Sequence, residues 1–171
     1  IVRRLVGSEM CIRDSANQGQ GFISSMAFGN GGTSVDPTGI ITYLTPNSTG
    51  TNASLYNQTF TKIVDDRSVS NLDPQRNKIE TRHVNGTNYT DVVVTCLLDY
   101  GEPNGQDATD TASASDSLYV FDELGLVSFA SSGTGKLLTH VVFHPVQKSL
   151  NRLIQIDYTV RVQSLTGFNE G

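Results

Sequence analysis

The chain has 171 residues, 12 Lys+Arg against 17 Asp+Glu and a formal net charge of -5, a length that forms one domain burying roughly 70% of its unfolded surface without disulfide or metal staples. Hydrophobic residues are 37% and charged residues 17%, below the usual shares of about 45% and about 25%, which excludes a charged coiled coil or a Lys/Glu-rich helical bundle. No window approaches the roughly 18 consecutive apolar residues of a membrane span, and the acidic balance argues against a phosphate-binding surface, so neither membrane nor nucleic acid is expected as a partner.

Ile1 to Ser15 reads IVRRLVGSEMCIRDS, with no initiator Met, no continuous apolar stretch and no small-residue cleavage site of the kind a secretory signal has. The run VGSEMCIRDS resembles the translated sequencing-adaptor sequence found at the broken ends of assembled environmental contigs. Residues 1–15 are therefore expected to be a non-native or disordered segment, with the true N-terminus missing, and residues 16–171 a single β-rich structural domain. Arg3, Arg4 and Arg13 against Glu9 and Asp14 make the remainder more acidic than the whole.

From Ala16 onward the periodicity is that of strands. The candidates in chain order are Phe22 to Phe28, Ile40 to Leu44, Leu55 to Val64, Lys78 to Val84, Asp91 to Tyr100, Ser117 to Phe121, Leu126 to Phe129, Leu137 to Phe143 and Leu150 to Val162; a short helix over Gly19 to Phe28 is the one alternative. The Asp91 run (DVVVTCLLDY) is nearly all apolar, as in a central strand buried on both faces, with Val92, Val94, Cys96 and Leu98 sharing one side. In the last run Ile154, Ile156, Tyr158, Val160 and Val162 alternate with Gln155, Asp157, Thr159 and Arg161, which is the pattern of a strand with one wet face. Turn signals separate the runs, among them Asn30-Gly31-Gly32, Asp36-Pro37, Pro46-Asn47, Asp73-Pro74, Pro103-Asn104-Gly105 and Gly133 to Gly135. Asn85-Gly86 predicts a type I′ hairpin between Lys78–Val84 and the Asp91 strand. Short strands at regular spacing with Gly/Asn turns predict a mainly β fold, an antiparallel β-sandwich or jelly-roll-like domain with long polar loops.

Chemistry-bearing residues are sparse. His140 and His144 lie on a strand-like run, where four residues span about 13 Å, too far to share one ion, and His83 flanks the predicted hairpin. Cys11 and Cys96 are too few for a disulfide framework and match no zinc spacing, so Cys96 reads as a small buried hydrophobe. Ser132 to Lys136 (SGTGK) lacks the P-loop pattern, since Ala130 and Leu137 stand where Gly and Ser/Thr are needed. Gly29-Asn30-Gly31-Gly32 lacks the third glycine of a dinucleotide fingerprint and precedes no helix signal. Glu102, Asp107, Asp110, Asp116, Asp122 and Glu123 form an acidic cluster without the EF-hand positions, expected to be a solvated loop spanning Gly101 to Ser117 and its flank. The sequons at Asn47, Asn52, Asn57, Asn85 and Asn88 are read as ordinary for an Asn/Thr-rich β protein. No nucleophile, base and oxyanion donors assemble in the sequence, so no enzyme activity, metal or cofactor is expected.

The order Ile23-Ser24-Ser25-Met26-Ala27-Phe28-Gly29-Asn30-Gly31-Gly32, Asp36-Pro37-Thr38, Phe121-Asp122-Glu123-Leu124-Gly125-Leu126, Gly135-Lys136-Leu137-Leu138-Thr139-His140 and the closing Phe143 to Val162 run resembles virion structural proteins of marine contractile-tailed bacteriophages. It is more loosely similar to the N-terminal region of phage tail-collar fibre proteins, which docks the fibre to the tail or baseplate. The resemblance implies a non-enzymatic accessory tail, neck or baseplate component of the virion. Its partners would be other virion proteins and copies of itself, in closed symmetry with heterologous ring contacts. Phe28, Gly29, Asn30, Gly31, Gly32, Asp122, Glu123 and Leu124 are the candidate interface, the glycines allowing close backbone approach, with Glu123 facing a partner or pairing locally. The alternatives are a carbohydrate-binding or host-recognition module acting on a surface glycan, and an envelope hydrolase using Asp122 or Glu123.

Overall fold

The computed structural model describes residues 22–47, 53–106 and 119–163; the expectations for residues 1–15, Asn52, Asp107, Asp110 and Asp116 fall outside them. Nine strands are present among the described residues: β1 Ile23–Gly29, β2 Thr33–Val35, β3 Ile41–Tyr43, β4 Gln58–Ile63, β5 Lys78–His83, β6 Tyr89–Leu98, β7 Val120–Ser128, β8 Val141–Gln147 and β9 Ile154–Gln163. They form a four-stranded sheet in the order β4-β1-β7-β8, a three-stranded sheet β5-β6-β9 and a two-stranded ribbon β2-β3, and every pairing is antiparallel. The fold is thus mainly β, as the spacing of turns predicts.

Alternation decides which side chains meet. Met26 and Phe28 of β1 and Leu124 and Leu126 of β7 enter one apolar cluster with Val92, Val94, Cys96 and Leu98 of β6, joined by Phe60, Ile79, Phe143, Ile156, Tyr158 and Val160. Both larger sheets therefore share a core, each buried Val, Leu or Phe contributing about 1.5–3 kcal/mol relative to exposure. Ala27 and Val127, on the opposite face of the four-stranded sheet, form a second cluster with Leu55 and Leu137. β6 is the central strand of its sheet, and Val93 and Leu97 are buried as well, so the continuous apolar run has the reason expected of it. Its ladder with β5 ends at Lys78↔Thr95; beyond that point the Asn77 side chain accepts the Leu97 N–H at 2.9 Å.

The strand expected over Phe22 to Phe28 is β1, Ile23–Gly29, and the helical alternative falls. Three local expectations are corrected. The runs expected separately over Ser117–Phe121 and Leu126–Phe129 meet in one continuous strand, β7 Val120–Ser128; Ser117 and Leu118 lie outside the described residues. Phe121 and Leu124 both point into the main core, an odd separation that strict alternation forbids, and the pairing with β8 is irregular between Phe121 and Glu123; this slip of phase hides the strand from a period-two reading. The closing strand begins at Ile154, and Leu150 and Leu153 before it are exposed. The β5–β6 turn is not type I′: Gly86 has φ +88 but no non-glycine residue has positive φ among the described residues. With the Val84 carbonyl accepting the Thr87 N–H at 3.1 Å, the turn follows the type II pattern. The loop over 84–88 is longer than a two-residue connection, so its turn does not have to match the twist of the flanking strands.

Several surface carboxylates are held ionised by close donors. The Thr38 hydroxyl and the Ile40 N–H hold Asp36 below its ordinary 3.8, Lys78 and Arg82 hold Glu80 below 4.5, and Arg161, stacked over the Tyr89 ring, holds Asp91 below 3.8. A folded value below the unfolded one means the unfolded chain binds protons first on acidification. Stability from these groups should be complete above pH 4.5 and decline as pH falls through the lowered values, measurable as melting temperature against pH. Burial pushes the Cys96 thiol up to about 12, so in a Cys11→Ser background the native chain should leave a thiol-reactive dye uncoloured, while the denatured chain reacts with it fully.

Candidate functional site

The residues singled out in the sequence do come together, around two adjacent carboxylates of β7. Asp122 is 3% exposed and Glu123 fully buried; neither belongs to a solvated acidic loop, which corrects that expectation. A carboxylate without water must be met by donors, and here the chain's own amides supply them. Glu123 Oε1 accepts the N–H of Gly31 at 3.2 Å and of Asn57 at 2.8 Å. Its Oε2 accepts the N–H of Tyr56 at 2.9 Å and His140 Nε2 at 2.8 Å. Asp122 takes the N–H of Gly32 and of Thr33, both at 2.9 Å, and the Thr33 hydroxyl at 2.5 Å. The bend over Gly31 to Thr33, whose glycines lack the dinucleotide fingerprint, turns its amides to the protein's own carboxylates.

The ring of His140 is oriented from both ends. Its Nδ1 accepts the Asn47 N–H at 2.7 Å, so the ring proton sits on Nε2 and is donated to Glu123. The arrangement needs a very close main-chain approach: a Cβ on Gly29 would lie 2.4 Å from the Asn57 carbonyl and 2.5 Å from Glu123 Oε1. Asn30 adds backbone and side-chain bonds to Asn57, at 3.1 and 2.6 Å. Phe28 and Leu124 lie in the main core. Of the eight residues expected at an interface, then, most are buried within the chain. Glu123 pairs locally, and the joint they form fixes the root of the β2–β3 ribbon.

The other sequence candidates separate. His144 is on the exposed face of β8 with its Nδ1 3.2 Å from the Tyr43 hydroxyl, and His83 lies at the end of β5 beside Thr90. No group of His, Cys, Asp and Glu placed to hold a metal occurs among the described residues. Glu102 pairs with Lys62.

Two features escape the sequence. Lys148 is buried, its Nζ donating to the carbonyls of Tyr100, Gln106 and Ser149 at 3.2, 3.3 and 3.0 Å. Burial pushes its ammonium below the ordinary value, with Asp99 and Glu102 acting the other way. Its N–H donates to the Tyr119 carbonyl at 2.8 Å, so this residue touches both Gln106 and Tyr119; nothing local in Gln147-Lys148-Ser149 signals that. The second is the loop between β4 and β5. The buried Asn71 donates to the carbonyls of Asp65 and Asn77 at 3.0 and 2.9 Å, and Asn77 donates to that of Asp73 at 3.1 Å. On this braced loop Val69 and Leu72 are 99% and 97% exposed. Beside it a groove of about 630 Å³ is lined by Val69, Phe22, Ile63, Val127 and Phe129 among others.

Comparison with family models, with curated proteins and with solved structures returned no match.

Removing the Glu123 carboxylate leaves its N–H donors and the His140 ring unmatched in a buried site. Glu123→Ala should lower unfolding stability by several kcal/mol, about 1–3 kcal/mol for each buried donor left unsatisfied, with Glu123→Gln between it and the parent, as read from urea denaturation midpoints.

Proposed function

We propose that this chain is a non-enzymatic bacteriophage virion protein, an accessory component of the tail, neck or baseplate that docks or connects fibres or larger parts, localised to the virion after assembly in the host cytoplasm. The observation that carries this reading is the braced loop with Val69 and Leu72 at 99% and 97% exposure next to an open groove. Covering each side chain would contribute roughly 1.5–3 kcal/mol, and because Asn71 and Asn77 already hold the loop, docking onto it forfeits little conformational entropy. A rigid β domain presenting preformed apolar anchors suits an attachment role. The order of motifs from Ile23 to Val162, similar to that of phage tail proteins, supports the same reading.

A second reading, a carbohydrate-binding module for a host-surface glycan, draws on the exposed tyrosines Tyr43 and Tyr56. The two separate experimentally. Mixed with the tail and baseplate proteins of its own genome, the full chain should co-elute with one of them in size-exclusion chromatography with light scattering. Val69→Asp and Leu72→Asp should abolish co-elution. Failure to bind any of those proteins, together with glycan-array binding that Tyr43→Ala or Tyr56→Ala removes, would overturn the attachment role.

A further inference from the structure

We infer that β3 is an association edge for a second copy of this chain, pairing antiparallel with the partner's β3 about a two-fold axis at Thr42 to give a continuous sheet β2-β3-β3-β2.

The direction of its backbone groups is settled by the ribbon. Leu44 N–H donates to the Gly32 carbonyl and Asp36 N–H to the Ile40 carbonyl, at 2.9 and 3.0 Å, so residues 40 and 44 turn their polar groups toward β2, as by alternation does Thr42, opposite Ser34. Ile41 and Tyr43 consequently direct their N–H and C=O groups away from β2. Among the described residues β3 has β2 as its one sheet neighbour. On the other side of the ribbon the outward N–H of Thr33 is held by Asp122.

Self-pairing about Thr42 places Ile41 opposite the partner's Tyr43, and Tyr43 opposite the partner's Ile41. These are the residues whose groups point outward, so each pair exchanges both of its N–H···O bonds. Ile40, 63% exposed, falls opposite the partner's Leu44, and Tyr43 is itself 51% exposed. The cross-strand pairs are thus aliphatic–aromatic and aliphatic–aliphatic, with a Thr–Thr pair on the axis, all kinds that stabilise sheets. The register is selected by its flanks. A slip toward the turn would set Tyr43 against Gly39, whose φ of +86 takes it out of extended conformation. A slip the other way would need the Thr45 carbonyl, already bonded to Tyr56.

Charge does not oppose a second copy at this edge. Two chains of net charge -5 repel, yet no charged residue occurs from Gly39 to Asn47, so this edge brings two acidic molecules together without like-charge contacts. The other sheet edges carry the devices that discourage pairing: Lys78, Glu80 and Arg82 on β5, Asp157 and Arg161 on β9, Lys62 on β4, and Pro145 with a register irregularity on β8. β3 carries none. The inference does not depend on the virion role.

In a two-fold pair the Thr42 Cα atoms would approach to about 4.5 Å, within disulfide range. The full chain with Cys11→Ser and Thr42→Cys should give a disulfide-linked dimer under mild oxidation, whereas Ser34→Cys, on the partnered side of the ribbon, should give none. The parent chain should sediment at twice 18.5 kDa at high concentration, and Ile41→Pro, which removes an outward N–H while leaving the ribbon ladder intact, should return it to 18.5 kDa. Should Ile41→Pro lose its β circular-dichroism spectrum, Thr42→Lys serves instead by placing like charges on the axis. A parent chain that stays monomeric, equal crosslinking through Ser34→Cys, or a dimer that survives both variants would overturn the inference.

Discussion

Glu123 is an ionisable side chain with no exposure to water, and a carboxylate in that position is tolerated only when its acceptor sites are met by donors. The donors come from three places that are remote in sequence: the bend after β1, the segment before β4 and the residue before β8. Each must arrive in a set orientation, because an N–H meets a carboxylate well only when aligned with it. The carboxylate therefore acts as the assembly jig of this end of the molecule. Asp122 extends the same constraint to Gly32 and Thr33, so the ribbon leaves the domain at an angle determined by buried charge. Gly29 is required there because a side chain would displace Glu123 or the Asn57 carbonyl.

Polar bracing recurs wherever the chain departs from the sheets. Asn71 and Asn77 hold the β4–β5 loop through main-chain carbonyls, and Lys148 does so for the segment around Tyr100 and Gln106. Such bonds add modest net stability each, but they remove alternatives to the observed loop path. The apolar side chains left outside, Val69 and Leu72 on the loop and Ile40, Tyr43 and Leu44 on the ribbon, are consequently presented on immobilised backbone. If two copies pair through β3, the dimer carries two Val69–Leu72 loops.

Much of the fold could be read from residue order alone. β6 and β9 announce themselves, one by its run of Val and Leu, the other by unbroken alternation, since in both the side chains meet solvent or core with period two. β2 does not, because Thr33-Ser34-Val35 is too short and too polar to show a period. β7 reads as two pieces because Asp122-Glu123 in its middle has the composition of a loop, and a buried acidic pair is intelligible only once its donors are known. Gly29 to Gly32 and Asp122 to Leu124 stand out together in the sequence and are together, yet their purpose, an internal joint, is hidden there: apart from the His140 bond, the contacts to Asp122 and Glu123 join residues 66 to 92 positions apart.

The sequence by itself determined that this is a mainly β protein, where most strands lie, which faces are apolar and that Cys96 is a core residue. Those properties follow from alternation and turn chemistry, which act over a few neighbouring residues. Only the tertiary structure decided that Asp122 and Glu123 are buried, that His140 donates from Nε2, that Lys148 lies among carbonyls and that β3 has β2 as its one sheet neighbour among the described residues. The physical reason is the same in each case. Whether a polar group is buried, and whether a backbone N–H is satisfied, depends on which distant segment lies against it, and no local pattern of residues carries that information.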